Sequence, residues 1–107
     1  MTNVFGAKRT LYKGEELSMP TLEELVDRAD APSEYSRDVL DVRTLGPPEP
    51  LVETLECLAN LPDETLLIQR NDRAPQFLYP KLEERGYAYE TFESETREDV
   101  VTVIWRQ

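Results

Sequence analysis

Three groups of residues in this sequence have types and spacings suited to chemistry. They are the lone thiol of Cys57, the run Pro47-Pro48-Glu49-Pro50, and the polar residues Asp41, Arg43, Asn71, Asp72 and Arg73. A cysteine attacks or carries sulfur as its thiolate, so its surroundings decide what it does. On a helical wheel Cys57 falls nearly opposite the stripe Leu51, Leu55 and Leu58, beside Glu53 and towards the end of its helix. Neighbouring carboxylates and the negative end of a helix dipole both raise a thiol pKa. That is the wrong direction for a nucleophile, so Cys57 reads as a passive surface or half-buried residue.

The second group sits where a helix should begin. Free N–H groups at a helix start make an anion site. Here Pro47, Pro48 and Pro50 remove three donors, and Glu49 adds a negative charge. Anion binding is disfavoured, and a structural cap is the better reading. The third group is the strongest candidate for binding. Asp41 and Arg43 end one strand, while Asn71, Asp72 and Arg73 follow the next, with Glu49 close by. Parallel strands end at one edge, where open α/β sheets bind ligands. The competing structural reading has Asn71 or Asp72 capping a helix or making a turn, and Arg43 paired with a carboxylate. The functional reading is a docking patch for a protein or a small polar ligand.

Composition narrows the chemistry further. With no histidine in 107 residues, the usual zinc and non-haem iron ligand sets and the Ser-His-Asp and Cys-His pairs cannot be assembled from one chain. No metal, no cofactor and no catalytic role is expected. There are 22 acidic residues against 12 basic ones, a net charge of −10, and the lysines are Lys8, Lys13 and Lys81 alone. Such a surface repels nucleic acid and anionic membranes. Many acids with few lysines resemble salt-adapted cytoplasmic proteins. No apolar run reaches the roughly 18 residues of a membrane span. The opening MTNVFGAKRTLYKG lacks the apolar core of a secretory signal, and a lone cysteine suits a reducing compartment. A cytoplasmic location is expected.

The elements that must position these groups follow from periodicity. Residues 1–36 read as an arm, basic over residues 1–14, with an amphipathic helix near 21–30. Thr21 and Glu24 make a capping box there, and Leu22, Leu25, Val26 and Ala29 make an apolar stripe ended by Pro32. That helix either packs on its own domain or binds a partner. Residues 37–107 read as one domain. Asp38 to Arg43 alternates as a half-buried strand, with Leu40 and Val42 on one face. A helix follows whose stripe is Leu51, Val52, Leu55, Leu58 and Ala59, and then an inner strand around Leu66-Leu67-Ile68. A second helix ends at Gly86 and starts either near Pro75, with a break, or near Tyr79, because an interior Pro80 would clash. Tyr87 to Glu93 and Val100 to Arg106 form a strand pair joined by a polar connection at Ser94 to Asp99. The expected fold is α+β, a two-layer α/β sandwich of order β-α-β-α-β-β. It has a four-stranded mixed sheet and two packed helices, besides the arm and its short helix.

The run Leu40 to Pro50, LDVRTLGPPEP, resembles the small sulfur-carrier proteins of the TusA/SirA kind from Asp38 to Gln107. In those proteins a Cys-Pro-x-Pro motif opens the helix and its thiolate carries sulfur. The matching tetrapeptide here is Pro47-Pro48-Glu49-Pro50, so Pro47 stands where the cysteine would be. The sequence is most similar to a cysteine-less, uncharacterised branch of that superfamily. Asn71-Asp72, Pro75, Leu78-Tyr79, Leu82-Glu83 and Trp105 fall at that branch's motif positions, with Arg73 where many members carry histidine. The resemblance implies the same sandwich and carries no activity with it.

Together these features indicate a small cytoplasmic binding or accessory module, linked to sulfur or redox metabolism by the resemblance. Its expected partner is a protein, not nucleic acid or membrane, and it is expected to be a monomer or weak homodimer. The alternative is a sulfur-transfer protein using Cys57. The charge makes a prediction of its own. Like charges on so small a body repel in dilute buffer, and at molar salt the Debye length falls to about 3 Å. The thermal midpoint should therefore be higher in molar KCl than in dilute buffer. A flat or falling midpoint would contradict the mechanism.

Overall fold

The computed structural model describes residues 9–12, 22–32, 34–94 and 99–106. Its elements are β1 (Arg9–Tyr12), α1 (Leu22–Arg28), β2 (Ser36–Asp41), α2 (Glu49–Ala59), β3 (Thr65–Asn71), α3 (Leu78–Glu84), β4 (Tyr87–Ser94) and β5 (Val100–Arg106). The β-α-β-α-β-β unit is present as β2 to β5, and its four strands form a mixed sheet. The arm extends that sheet: the strand order is β1-β4-β5-β3-β2, with β1 parallel to β4. Strands β2 and β3 pair in parallel, from Ser36 opposite Thr65 to Asp41 opposite Arg70. Strand β5 runs antiparallel to both β3 and β4. Thus β1, β4, β3 and β2 all end at one edge of the sheet, and β5 begins there.

Side-chain parity divides the core in two. On one face Leu66 and Ile68 of β3, Phe92 of β4, and Val101 and Val103 of β5 pack with Leu25, Val26 and Ala29 of the α1 region. On the other face Leu67, Tyr87, Tyr89 and Ile104 pack with Leu58 of α2 and with Leu78, Tyr79 and Leu82 of α3. Helix α1 therefore covers the sheet face that α2 and α3 leave open, adding a third layer to the expected two. Leu25, Val26 and Ala29 of its stripe dock on its own chain. The Thr21 end of the capping box, the basic residues Lys8 and Lys13, and the connection 95–98 lie outside the described residues.

Several local details depart from the periodic reading. Strand β2 starts two residues early, at Ser36, and ends at Asp41, so Val42 and Arg43 belong to the turn that follows. Leu40 and Leu55 are half-buried and pack against the core on the α2/α3 face. Val52 is 46% exposed, and Thr54 occupies the buried side of α2 in its place. Thr54 is tolerated there because its hydroxyl donates to the carbonyl of Pro50 at 2.7 Å. Helix α3 begins at Leu78, which resolves the placement of Pro80: as the third helical residue, its missing N–H would have had no helical acceptor. The helix ends as its sequence demands. Gly86 has φ +80°, the left-handed conformation that glycine adopts without cost, and its N–H donates to the Glu83 carbonyl at 3.2 Å.

Tyrosines tie α3 to the sheet. The Tyr79 and Tyr89 rings stack with centroids 4.9 Å apart, and the Tyr79 hydroxyl lies 2.6 Å from Thr91 Oγ1. Tyr89 donates to Glu83 at 2.6 Å, and burial, reinforced by that carboxylate, holds its phenol well above the usual range.

If both faces of the sheet carry core, truncation on either side should be costly. Leu25→Ala on α1 and Leu82→Ala on α3 should each lose about 2–5 kcal/mol in urea unfolding. Val52→Ala should change little. A near-neutral Leu25→Ala would remove α1 from the core.

Candidate functional site

Two loops meet at the edge where the parallel strands end. The first runs from Val42 through the prolines into α2, with the Pro47–Pro48 peptide bond cis. The second runs from Asp72 to Phe77 into α3. Between them, on the α2/α3 face, opens a cleft of about 580 Å³. Its walls are apolar: Leu45, Pro47, Pro50 and Leu51 on one side, Pro75 and Phe77 on the other. Phe77 is 82% exposed, the most exposed large apolar side chain among the described residues. Its floor is polar, made by Gln69, Asn71 and Glu93, all of them buried.

The floor is held by a run of hydrogen bonds in a single sense. The Asp72 N–H donates to Asn71 Oδ1 at 2.8 Å, and Asn71 Nδ2 donates to Gln69 Oε1 at 3.3 Å. Gln69 Nε2 then donates to Thr54 Oγ1 at 2.8 Å, and Thr54 to the Pro50 carbonyl. Each buried amide is satisfied, as burial requires, and each retains a second N–H. The chain links the strand end to the first turn of α2 and fixes which way both amides point.

The residues singled out in the sequence divide between two places. Asn71, Asp72 and Arg73 line the cleft. Arg73 Nε donates to Asp72 at 3.0 Å, and that guanidinium holds the Asp72 carboxyl below its usual range. Asp41 and Arg43 do not reach the cleft. By strand parity Asp41 lies beside Arg70 on the α1 face, and it accepts two bonds from the Arg43 guanidinium, at 2.9 and 2.7 Å, besides one from its backbone N–H. Those bonds lower the Asp41 carboxyl to about 2. Arg70 bonds Asp99 at 3.2 Å on the same face. Glu49 is exposed at the first residue of α2, where its charge complements the helix dipole, and does not line the cleft.

Gln69, Glu93 and Phe77 carry the site and were not picked out by motif. Gln69 had a signal: it is a polar residue two before Asn71, on the inward parity of a strand otherwise apolar. Phe77 and Glu93 had none, because their convergence depends on how two loops and β4 meet.

Cys57 is half-buried against the α2/α3 core and lies outside the cleft. Its thiol pKa is raised, first by burial and then by Asp38, Glu53 and Glu56. Among the described residues no group of three or more Cys, Asp or Glu side chains converges as a metal site. None of the described helices is long and apolar enough to cross a membrane.

The family described as an uncharacterized conserved protein, DUF2249, matches residues 39–106. The chain belongs to this family. No curated protein and no solved structure matches it. The DUF2249 region starts inside β2 and runs nearly to the end of β5, so it contains both cleft-forming loops and the whole polar floor. It leaves β1 and α1 outside, although α1 supplies one of the two core layers.

The environment of Cys57 predicts slow chemistry. Modification by a thiol reagent at pH 8 should be slower than for a cysteine in an unstructured peptide, since less of it is thiolate. Cys57→Ser should leave the melt unchanged within error. A labelling rate above that of the peptide would reverse the assignment.

Proposed function

We propose that this DUF2249 protein is a non-catalytic accessory module that binds an exposed segment of a partner protein in the cleft at the strand ends. The observation that supports it most is Phe77, an aromatic side chain left in water on the rim of a cleft with a preorganised amide floor. An apolar wall with a few fixed polar groups is the usual composition of a binding site, and 580 Å³ falls within the usual range. Aromatic residues in such positions often dominate an interface.

Charge indicates the kind of segment. Glu93 lies in the floor, the Asp72 charge in the wall is matched by Arg73, and the whole chain carries −10. The prolines of the α2 entrance present no N–H groups to an anion. The best fit is an extended, neutral or basic segment with one apolar side chain between Phe77 and Leu45, its backbone amides meeting Gln69 and Asn71. The likeness of the Asp-x-Arg strand and Pro-Pro-Glu-Pro entrance to the TusA/SirA kind is what would put this role near sulfur or redox metabolism. The acidic composition would suit a salt-rich cytoplasm. The alternative of sulfur transfer through Cys57 fits poorly with a thiol outside the cleft whose ionisation is suppressed.

Selection of displayed random peptides on the wild-type protein tests the reading. Enriched peptides should combine an aromatic or aliphatic anchor with Lys or Arg, and Phe77→Ala should weaken them more than about tenfold, the scale of a hot-spot residue. Peptides that bind Phe77→Ala as well as wild type, or that are acidic, would overturn it. Persulfide formation on Cys57 with onward transfer would replace it by the carrier reading.

A further inference from the structure

The strand order leaves β2 at an edge of the sheet, with β3 as its neighbour among the described residues. The Ser36 N–H donates to the Glu64 carbonyl at 2.9 Å and the Val42 N–H to the Arg70 carbonyl at 2.8 Å. Even-numbered residues of β2 thus turn their peptide groups towards β3. Successive peptide groups along a strand point to opposite sides, so Arg37, Val39 and Asp41 turn theirs to the outer edge. The six residues hold an unbroken register with β3, and the strand contains no proline. Val39 is 52% exposed.

Edge strands are commonly protected by charged side chains. Arg37, Asp38 and Asp41 give that protection against an arbitrary strand. Their signs, however, suit one particular partner. We propose that β2 pairs antiparallel with β2 of a second copy of this chain, about a two-fold axis at Val39, joining the two sheets into one.

The outward peptide groups allow only registers that set odd residues opposite odd residues. An axis at Asp38 would place Asp38 against the partner's Asp38, like charges in contact. An axis at Leu40 would place Val39 against the partner's Asp41, an apolar side chain against a charge, and leave Arg37 with no acid of the partner strand across from it. An axis at Val39 places Val39 against the partner's Val39, and Arg37 against the partner's Asp41 twice over by symmetry. Opposite charges directly across a strand pair stabilise it, and like charges destabilise it. Each chain already bonds Arg37 to Glu23 at 2.9 Å and Asp41 to Arg43 at 2.7 Å. The pairing would join these into rows of alternating sign: Glu23, Arg37, the partner's Asp41, the partner's Arg43.

Two six-residue strands make a small interface, at the low end of specific contacts, so the dimer is weak. Net charges of −10 on each copy oppose it in dilute buffer, and molar salt screens that repulsion. The surface is separate from the cleft, and the inference does not rest on the cleft's role.

Sedimentation equilibrium of the full chain in dilute buffer and in molar KCl tests it. A reversible monomer–dimer equilibrium is expected, stronger in KCl. Val39→Pro removes an N–H that points away from β3, which an edge strand tolerates, and should weaken the dimer at least about tenfold. Asp41→Arg sets Arg against the partner's Arg37 and should weaken it similarly. Phe77→Ala should dimerise as wild type. Circular dichroism confirms that each variant is folded; should Val39→Pro unfold, Asp41→Arg decides. A wild-type monomer at all concentrations, a dimer indifferent to the folded β2 variants, or one lost in Phe77→Ala would overturn the proposal.

Discussion

Because β3 runs beneath α1 on one side and beneath α2 and α3 on the other, each of its residues is committed to one of two environments. Leu66 and Ile68 support α1, while Leu67, Gln69 and Asn71 support the other pair of helices and the floor of the cleft. The period of a strand is two, so a slip of one residue would exchange the sets. Gln69 and Asn71 would then meet the apolar side of α1, and Ile68 would meet Thr54. A buried amide without its partner costs about 1–3 kcal/mol. The polar residues of β3 therefore fix the register as firmly as its leucines do. The pairing with β2 and β5, and hence the edge at which the loops meet, depends on that register.

The cleft follows from this arrangement together with the composition of two loops. Prolines at the α2 entrance give a stiff apolar wall without donors, and the Asn71–Gln69–Thr54–Pro50 run anchors that wall to the strand end. A cysteine in place of Pro47 would present a thiol at a helix start, where the dipole lowers its pKa. Here that position holds a ring without N–H or thiol, and the one thiol lies in an environment that suppresses its ionisation. The corner is an apolar wall over a polar floor, and Cys57 lies outside it.

The charges are distributed by the same logic. Asp41 with Arg43, Asp72 with Arg73, and Arg37 with Glu23 are local pairs on the surface, each worth little alone. They keep basic groups near strand ends in a chain with a large excess of acid. The two polar groups at the strand ends, adjacent in the sequence reading, sit on opposite faces of the sheet because Asp41 and Asn71 have opposite parity in the register.

By itself the sequence determined the order of elements, the parallel pairing implied by a helical crossover, the stop at Gly86, the inner strand around Leu66 to Ile68, and the suppressed thiol of Cys57. These depend on periods of two and 3.6, on the backbone limits of glycine and proline, and on charges near in sequence. Only the tertiary structure decided that α1 covers the second face, that β1 extends the sheet, that Thr54 is buried in place of Val52, and that Phe77 and Glu93 share a cleft with Asn71. Each of those brings together residues far apart in the chain or chooses between two faces of one element. A local pattern carries no information about which face meets which neighbour, because that choice is made by the packing of the whole core.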